Sequence, residues 1–184
     1  MPSTVTEMVK KLASQGLVTH APYGAITLTD VGRAEALRMV RRHRLVETWL
    51  VEGFGYTWDE VHDEAEVLEH AVSDLFVERT ARLLGHPVRD PHGDPIPGPD
   101  GTLVVPDAVP LWDAEPGGWV VARISDADPD LLRYLDEVGI GLDTALQVGA
   151  RRDAVGTVAV VVADGALDLG RTAAHAIWVA RAMA

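Results

Sequence analysis

Between His86 and Gly118 the chain carries eight of its eleven prolines, at positions 87, 91, 95, 97, 99, 106, 110 and 116. Proline locks φ and has no amide hydrogen, so neither a helix interior nor a central strand runs through such a stretch. The segment therefore predicts a linker or an extended loop laid over a surface. It also divides the chain into two parts that must each fold by their own pattern. With 184 residues, there is room for more than one small domain.

Before the proline-rich segment, apolar residues recur at helical spacing. Val5, Met8, Val9 and Leu12 predict a helix over 3–15, with Ser3 as N-cap and Gly16 as C-cap. Leu17–Thr19 and Ala25–Leu28 read as the arms of a short hairpin around Pro22-Tyr23-Gly24. A long helix follows from Asp30 to about Glu52, capped by Thr29 and stopped by Gly53-Phe54-Gly55. Thr57-x-x-Glu60 has the form of a capping box opening a helix to about Val72, and Ser73-Asp74 starts another that ends near Leu84-Gly85. After the prolines, Trp119–Ile124, Ala145–Ala150, Val155–Val162 and Ala176–Ala180 read as strands and Asp130–Glu137 as a short helix. Short strands of this kind fit a small β-barrel.

The residues that carry chemistry lie between Arg41 and His70. His43 and Glu47 are one helical turn apart, and His62, Glu66, Glu69 and His70 fall on an arc of about 100° on one helix face. Two helices crossing there would bring imidazole nitrogen and carboxylate oxygen together, a donor set that suits manganese, ferrous iron or zinc. An ordinary i,i+4 pair beside arginines, and a solvated acidic face, account for the same residues without a metal. Such an acidic face repels itself unless a cation offsets it.

Charge points the same way. The net charge is −12, yet residues 1–45 carry seven Lys/Arg against three Asp/Glu. One end is suited to phosphate and the remainder to cations. A helix followed by a small hairpin is the second half of a winged helix-turn-helix. In that reading Ser3, Thr4 and Thr6 face the groove and Lys10 and Lys11 sit near the DNA backbone. A plain helix–hairpin packing unit fits as well.

Several classes are excluded. No cysteine is present, so disulfides, thiolate metal sites and cysteine nucleophiles are absent. No apolar run is long enough for a membrane span and MPSTVTEMVKK has no signal-peptide core, so the expected location is the cytoplasm. His-Glu-x-x-His, a Gly-rich phosphate loop and Gly-x-Ser-x-Gly are all missing, and the chain is not expected to be an enzyme.

With these residues in place, the chain resembles the diphtheria-toxin-repressor family of iron- and manganese-dependent transcriptional regulators. PSTVTEMVKKLASQGLV resembles the family's recognition helix and LTDVGRAEALRMVRRHRLVETWL its long third helix. EVHDEAEVLEHAVSDLFVERTARLLGHPVRDPHGDPIP resembles its metal and dimerisation helices, ending in the Pro-His-Gly-x-Pro-Ile-Pro loop, here Pro91–Pro97. LLRYLDEVGIGLDTALQV and LGRTAAHAIWV resemble its SH3-like domain.

The resemblance implies that His43, Glu47 and His62 form the family's ancillary metal site and Glu66, Glu69 and His70 its primary site. Iron-responsive members have cysteine where this chain has Glu66 and manganese-responsive members have glutamate. Hard oxygen in place of soft sulfur makes Mn²⁺ the expected metal and Fe²⁺ the alternative. Around Ser125–Asp128 the family's third domain lends ancillary ligands, and here only Asp126 or Asp128 is available to substitute.

The expected architecture is mainly α with small β parts. A partial winged helix-turn-helix (1–36) precedes a helical metal-binding and dimerisation domain (37–86), a Pro-rich linker (87–117) and an SH3-like β-barrel (118–184). The expected function is a homodimeric, metal-dependent repressor of manganese or iron homeostasis. Because the family's first helices precede the point where this sequence starts, operator binding is expected once they are restored. The alternative is a relative that no longer binds DNA and acts as a metal-binding dimerisation partner.

Overall fold

A computed structural model describes residues 4–21, 24–163 and 165–182. The N-terminal part opens with α1 (Thr4–Ser14), followed by the hairpin β1 (Val18–His20) and β2 (Ile26–Leu28). The arms pair Val18 with Leu28 and His20 with Ile26, and the Thr19 and Thr27 hydroxyls meet at 2.6 Å. The hairpin is tied to the next helix, α2 (Asp30–Phe54). Thr29 Oγ1 accepts from the Gly32 amide at 3.0 Å and its own amide donates to Leu17 O. A Cβ at Gly32 would sit 1.9 Å from Leu17 O, so only glycine lets α2 start this close to the hairpin. Ser3, expected as the N-cap of α1, and Pro22-Tyr23 of the turn lie outside the described residues.

Helix α2 runs 25 residues to Gly55, whose left-handed backbone (φ +74°) sends its amide back to Leu50 and Val51 carbonyls. It is the axis of the helical part. Adjacent residues Leu45 and Val46 point about 100° apart. Leu45 packs on Val77 and Ala81 of α4 (Asp74–Leu83), while Val46 and Leu50 pack on Val61 and Ala65 of α3 (Val61–Glu69). Each such fully buried aliphatic side chain contributes about 1.5–3 kcal/mol.

Helix α3 begins later than Thr57. Residues 58–60 form a turn, although Glu60 Oε1 still accepts from the Thr57 amide at 3.1 Å, one half of the expected capping box. The turn exists because Trp58 is claimed from outside: its side chain packs on the C-terminal core and its carbonyl accepts from His92 Nε2.

The proline-rich segment has two halves. Residues 98–108 form an irregular, mostly exposed surface loop that opens with a turn in which Gly98 N donates to Thr102 O. Residues 88–97 instead fold into a clasp, with Ile96 N donating to Val88 O and Asp90 N to Asp94 O. The clasp is buried at Asp90, His92 and Ile96. Gly93 at its tip has φ +89°, and a Cβ there would lie 2.2 Å from Ala122 O. Ile96 plugs the Leu45–Val77–Ala81 cluster on one side, and the Ile124 amide donates to His92 O on the other. Proline rigidity and two satisfied backbone pairs make this short segment a wedge between the two parts of the chain.

The C-terminal part is a six-stranded antiparallel sheet in the order β3-β8-β4-β5-β6-β7. Its strands are β3 (Val109–Pro110), β4 (Gly117–Ile124), β5 (Ala145–Arg152), β6 (Thr157–Val162), β7 (Gly165–Gly170) and β8 (Ile177–Arg181). α5 (Pro129–Glu137) and α6 (Arg171–Ala176) pack against the sheet over one large apolar core. The expected small β-barrel is an open sheet that does not close on itself. β3 is two residues long and ends in a proline that has no amide to donate, and β7 leads directly into α6, so the two edges do not pair. The sequence reading missed β7 because Gly-Ala-Leu-Asp-Leu-Gly lacks β-branched residues. No helix among the described residues is long and apolar enough to cross a membrane.

The wedge predicts opposite outcomes for two glycines. Gly93→Ala adds both a strained backbone and a clash with Ala122 O, and is expected to destabilise by about 2 kcal/mol or more. Gly53→Ala, whose Cβ meets nothing closer than Trp49 at 3.6 Å, is expected to stabilise α2 by about 0.5–1 kcal/mol. Denaturant unfolding of both variants measures the pair.

Candidate metal centre

The packing of α3 on α2 brings three donors to one point. His43 Nε2 lies 2.9 Å from Glu47 Oε1 and 3.2 Å from His62 Nδ1, which is itself 3.1 Å from the same glutamate oxygen. One donor atom from each of these residues lies within 4.8 Å of the others. Glu47 is 1% exposed, so its charge depends on these neighbours.

Burial alone would raise the Glu47 pKa, but the hydrogen bond and charge of His43, the charge of His92 and the hydrogen bond of His62 hold it below the usual carboxylate range. His43 shows the converse. Burial works against its charged form, yet the hydrogen bonds and charges of Glu47 and Glu69 push its pKa up to about 9. Without metal, a proton on His43 therefore offsets the carboxylates, in the place where a cation would do the same.

A second group of converging donors shares Glu47. One atom each of Glu47, His92 and Asp126 lie within 4.8 Å of one another. Asp126 comes from the connection after β4, and its Oδ2 is 3.3 Å from His62 Nδ1. His92 is fully buried in the clasp. Its Nε2 is 2.6 Å from the Trp58 carbonyl, which only accepts, so Nε2 carries the hydrogen. Nδ1 is left buried without a hydrogen-bond partner. A histidine that donates one ring N–H to a backbone carbonyl and leaves its other ring nitrogen without a hydrogen-bond partner has the arrangement of a metal ligand. Nearby, burial and the charges of Glu47 and Asp94 push the Asp90 pKa up to about 6.

The remaining expected ligands are placed differently. Glu69 turns toward the first group: its Oε2 receives His43 Nδ1 at 2.7 Å, while Oε1 stands 3.5 Å from His70 Nε2. Glu66 lines the same cleft of about 390 Å³ with an exposed side chain. His70 is at the rim, its side chain 70% exposed and facing Glu69. Among the described residues, then, His43, Glu47 and His62 converge as a set, whereas Glu66, Glu69 and His70 do not.

Sequence reasoning did not single out His92 as a ligand, because its loop has no periodicity to align it with a helix face. The available signal was the idiosyncratic Pro91–Pro97 motif itself. Asp126 was visible only as one of two substitutes.

On α1, Thr4, Thr6, Lys10 and Lys11 are all exposed. At 100° per residue Thr6, Lys10 and Lys11 lie on the half of the helix opposite Val5, Met8, Val9 and Leu12, while Thr4 sits at the boundary, one turn from Met8. No residue of α1 is buried. Ser3, assigned to the same face, is outside the described residues.

Three stretches of the chain match known protein families. Residues 1–26 match the iron dependent repressor N-terminal DNA binding domain, residues 29–98 its metal binding and dimerisation domain, and residues 109–181 the FeoA domain. The iron-dependent repressor IdeR of Mycobacterium leprae is 33% identical over 150 residues, covering 74% of this chain and 65% of its own length. The chain thus spans just under two thirds of that relative. The diphtheria toxin repressor of Corynebacterium glutamicum is 30% identical over 190 residues, covering 96% of this chain and 81% of the relative. Among solved structures, a manganese-dependent transcriptional repressor in complex with manganese is 57% identical with a TM-score of 0.91, covering 97% of this chain and 84% of that one. ScaR with bound Cd²⁺ is 38% identical with a TM-score of 0.82, covering 97% and 84%. By sequence, by fold and by the order of its domains, the chain belongs to the diphtheria-toxin-repressor family of metal-dependent regulators.

Proposed function

We propose that this protein is a homodimeric, metal-activated DNA-binding repressor of manganese homeostasis. The observation that carries the reading is the convergence on buried Glu47 of His43 and His62 from two helices, His92 from the clasp and Asp126 from the C-terminal part. All are nitrogen or oxygen donors and none is sulfur, which favours Mn²⁺, with Fe²⁺ as the alternative. The manganese-bound repressor at 57% identity supports the same choice.

The residues fit such a cation. His43, Glu47 and His62 would hold it in one position and Glu47, His92 and Asp126 in an adjoining one, with Glu66, Glu69 and His70 as a further acidic position at the mouth of the cleft. A bound divalent cation supplies positive charge that ties α2, α3, the clasp and the C-terminal part to one point. Everything else is done by the protein. Helix α2 is continuous from Asp30 to Phe54, so His43 is a rigid lever of about 20 Å from the hairpin and α1. Fixing its orientation fixes where α1 presents Thr4, Thr6, Lys10 and Lys11, with Ser3 beside them. Metal then shifts a population toward the DNA-competent arrangement, to the extent that it binds that arrangement more tightly. Exposed Phe54, Val67, Leu75 and Leu83 supply apolar surface on α2, α3 and α4 for pairing with a second copy. The match of residues 1–26 to a DNA binding domain favours operator DNA as the partner over the reading as a metal-binding dimerisation partner alone.

Two measurements test this. A random duplex library selected with the protein as its gene encodes it should yield an enriched sequence with Mn²⁺ and none with chelator. Glu47→Gln should weaken Mn²⁺ binding by about 100-fold or more and abolish the enrichment. Enrichment that ignores metal would sink the reading.

The metal-free protein should also depend on pH in a defined direction. The His43 pKa is raised, so its ion pairs stabilise the fold fully below about pH 6.5 and are lost as pH rises through about 9. Thermal unfolding across that window should show a falling midpoint that His43→Gln flattens.

A further inference from the structure

The cleft that holds the carboxylates also holds two guanidinium groups, Arg44 from α2 and Arg123 from β4. Both would compete with a cation for the same oxygens. Arg44 Nε already stands 3.4 Å from Asp90 Oδ2, and Glu47 and Asp126 line the cleft beside it. What holds them away is Asp94. Its Oδ1 accepts from Arg44 Nη2 and its Oδ2 from Arg123 Nε, each at 2.8 Å. Both oxygens are therefore taken, so Asp94 is not itself a free donor for metal.

Neighbouring groups complete the restraint. Arg44 Nη1 donates to the Pro95 carbonyl, one residue along the clasp, and the Arg123 guanidinium lies 4.1 Å above the Trp178 ring. Asp94 is the variable position of Pro-His-Gly-x-Pro-Ile-Pro, two residues from His92 and rigidly placed by its amide on Asp90 Oδ1 at 2.9 Å.

We infer that Asp94 is a positioning residue of the metal centre, which pins Arg44 and Arg123 so that Glu47 and Asp126 stay open to a divalent cation. In its absence each guanidinium turns to the nearest remaining carboxylates, which are the ones facing the cation. The inference rests on the reading of this cluster as metal-binding.

Mn²⁺ titration of the full chain in a double-mutant cycle tests it. Asp94→Asn should weaken Mn²⁺ binding by about 10–100-fold. Adding Arg123→Gln should recover at least about tenfold more affinity in the Asp94→Asn background than it adds to the wild type, because only there is Arg123 loose. Equal gains in the two backgrounds are what plain charge removal produces, and they would overturn the inference. So would an Asp94→Asn chain that binds Mn²⁺ like wild type, which leaves the metal-binding reading intact. Wild type that fails to bind Mn²⁺ brings down both. Asp94→Ser replaces Asn in the cycle if the Asn variant folds poorly.

Discussion

A carboxylate that is 1% exposed has to be surrounded by groups that replace water, and the rest of this structure is arranged around that requirement at Glu47. His43 supplies a partner from one turn earlier on the same helix, and His62 supplies one from the helix packed alongside. His92 and Asp126 complete the ring from loops that are far away in the chain. Against the burial that disfavours its charged form, Glu47 and Glu69 raise the His43 pKa to about 9, so a charged imidazole offsets part of the buried negative charge.

The clasp from Val88 to Pro97 is the mechanical counterpart. It presses Ile96 into the helical core, hands His92 to the Trp58 carbonyl, and receives the Ile124 amide of the sheet. Its Asp94 links an arginine from each side. The two halves of the chain therefore meet through satisfied polar groups around a small apolar plug. Further contacts of the same kind, Arg133 with Asp59 and Arg89 with Asp143, lie at the periphery and are more exposed, where screening leaves ion pairs weaker.

The family resemblance and the geometry support each other at different strengths for different residues. His43, Glu47 and His62 meet in space as the resemblance implies. Glu66, Glu69 and His70 share a helix face, yet Glu69 bends to His43 and His70 stays at the rim. Sharing a face is a property of one helix. Meeting at a point also requires the side chains to turn inward together, and Glu66 and His70 stay exposed.

What the sequence determined by itself was local. Thr29 and Ser73 cap their helices as read, Gly55 ends α2, and the donors of α2 and α3 follow from a period of 3.6 residues. Local rules also missed locally ambiguous pieces, such as the strand 165–170, whose residues have no strong preference. Tertiary structure alone decided that α3 starts at Val61 because Trp58 is held by His92, that residues 88–97 are buried, and that the sheet stays open. It also decided that His92, Asp94 and Asp126 join a centre begun by His43. Those contacts span tens of residues, and no periodicity in the chain encodes a distance between loops; burial of Glu47 does.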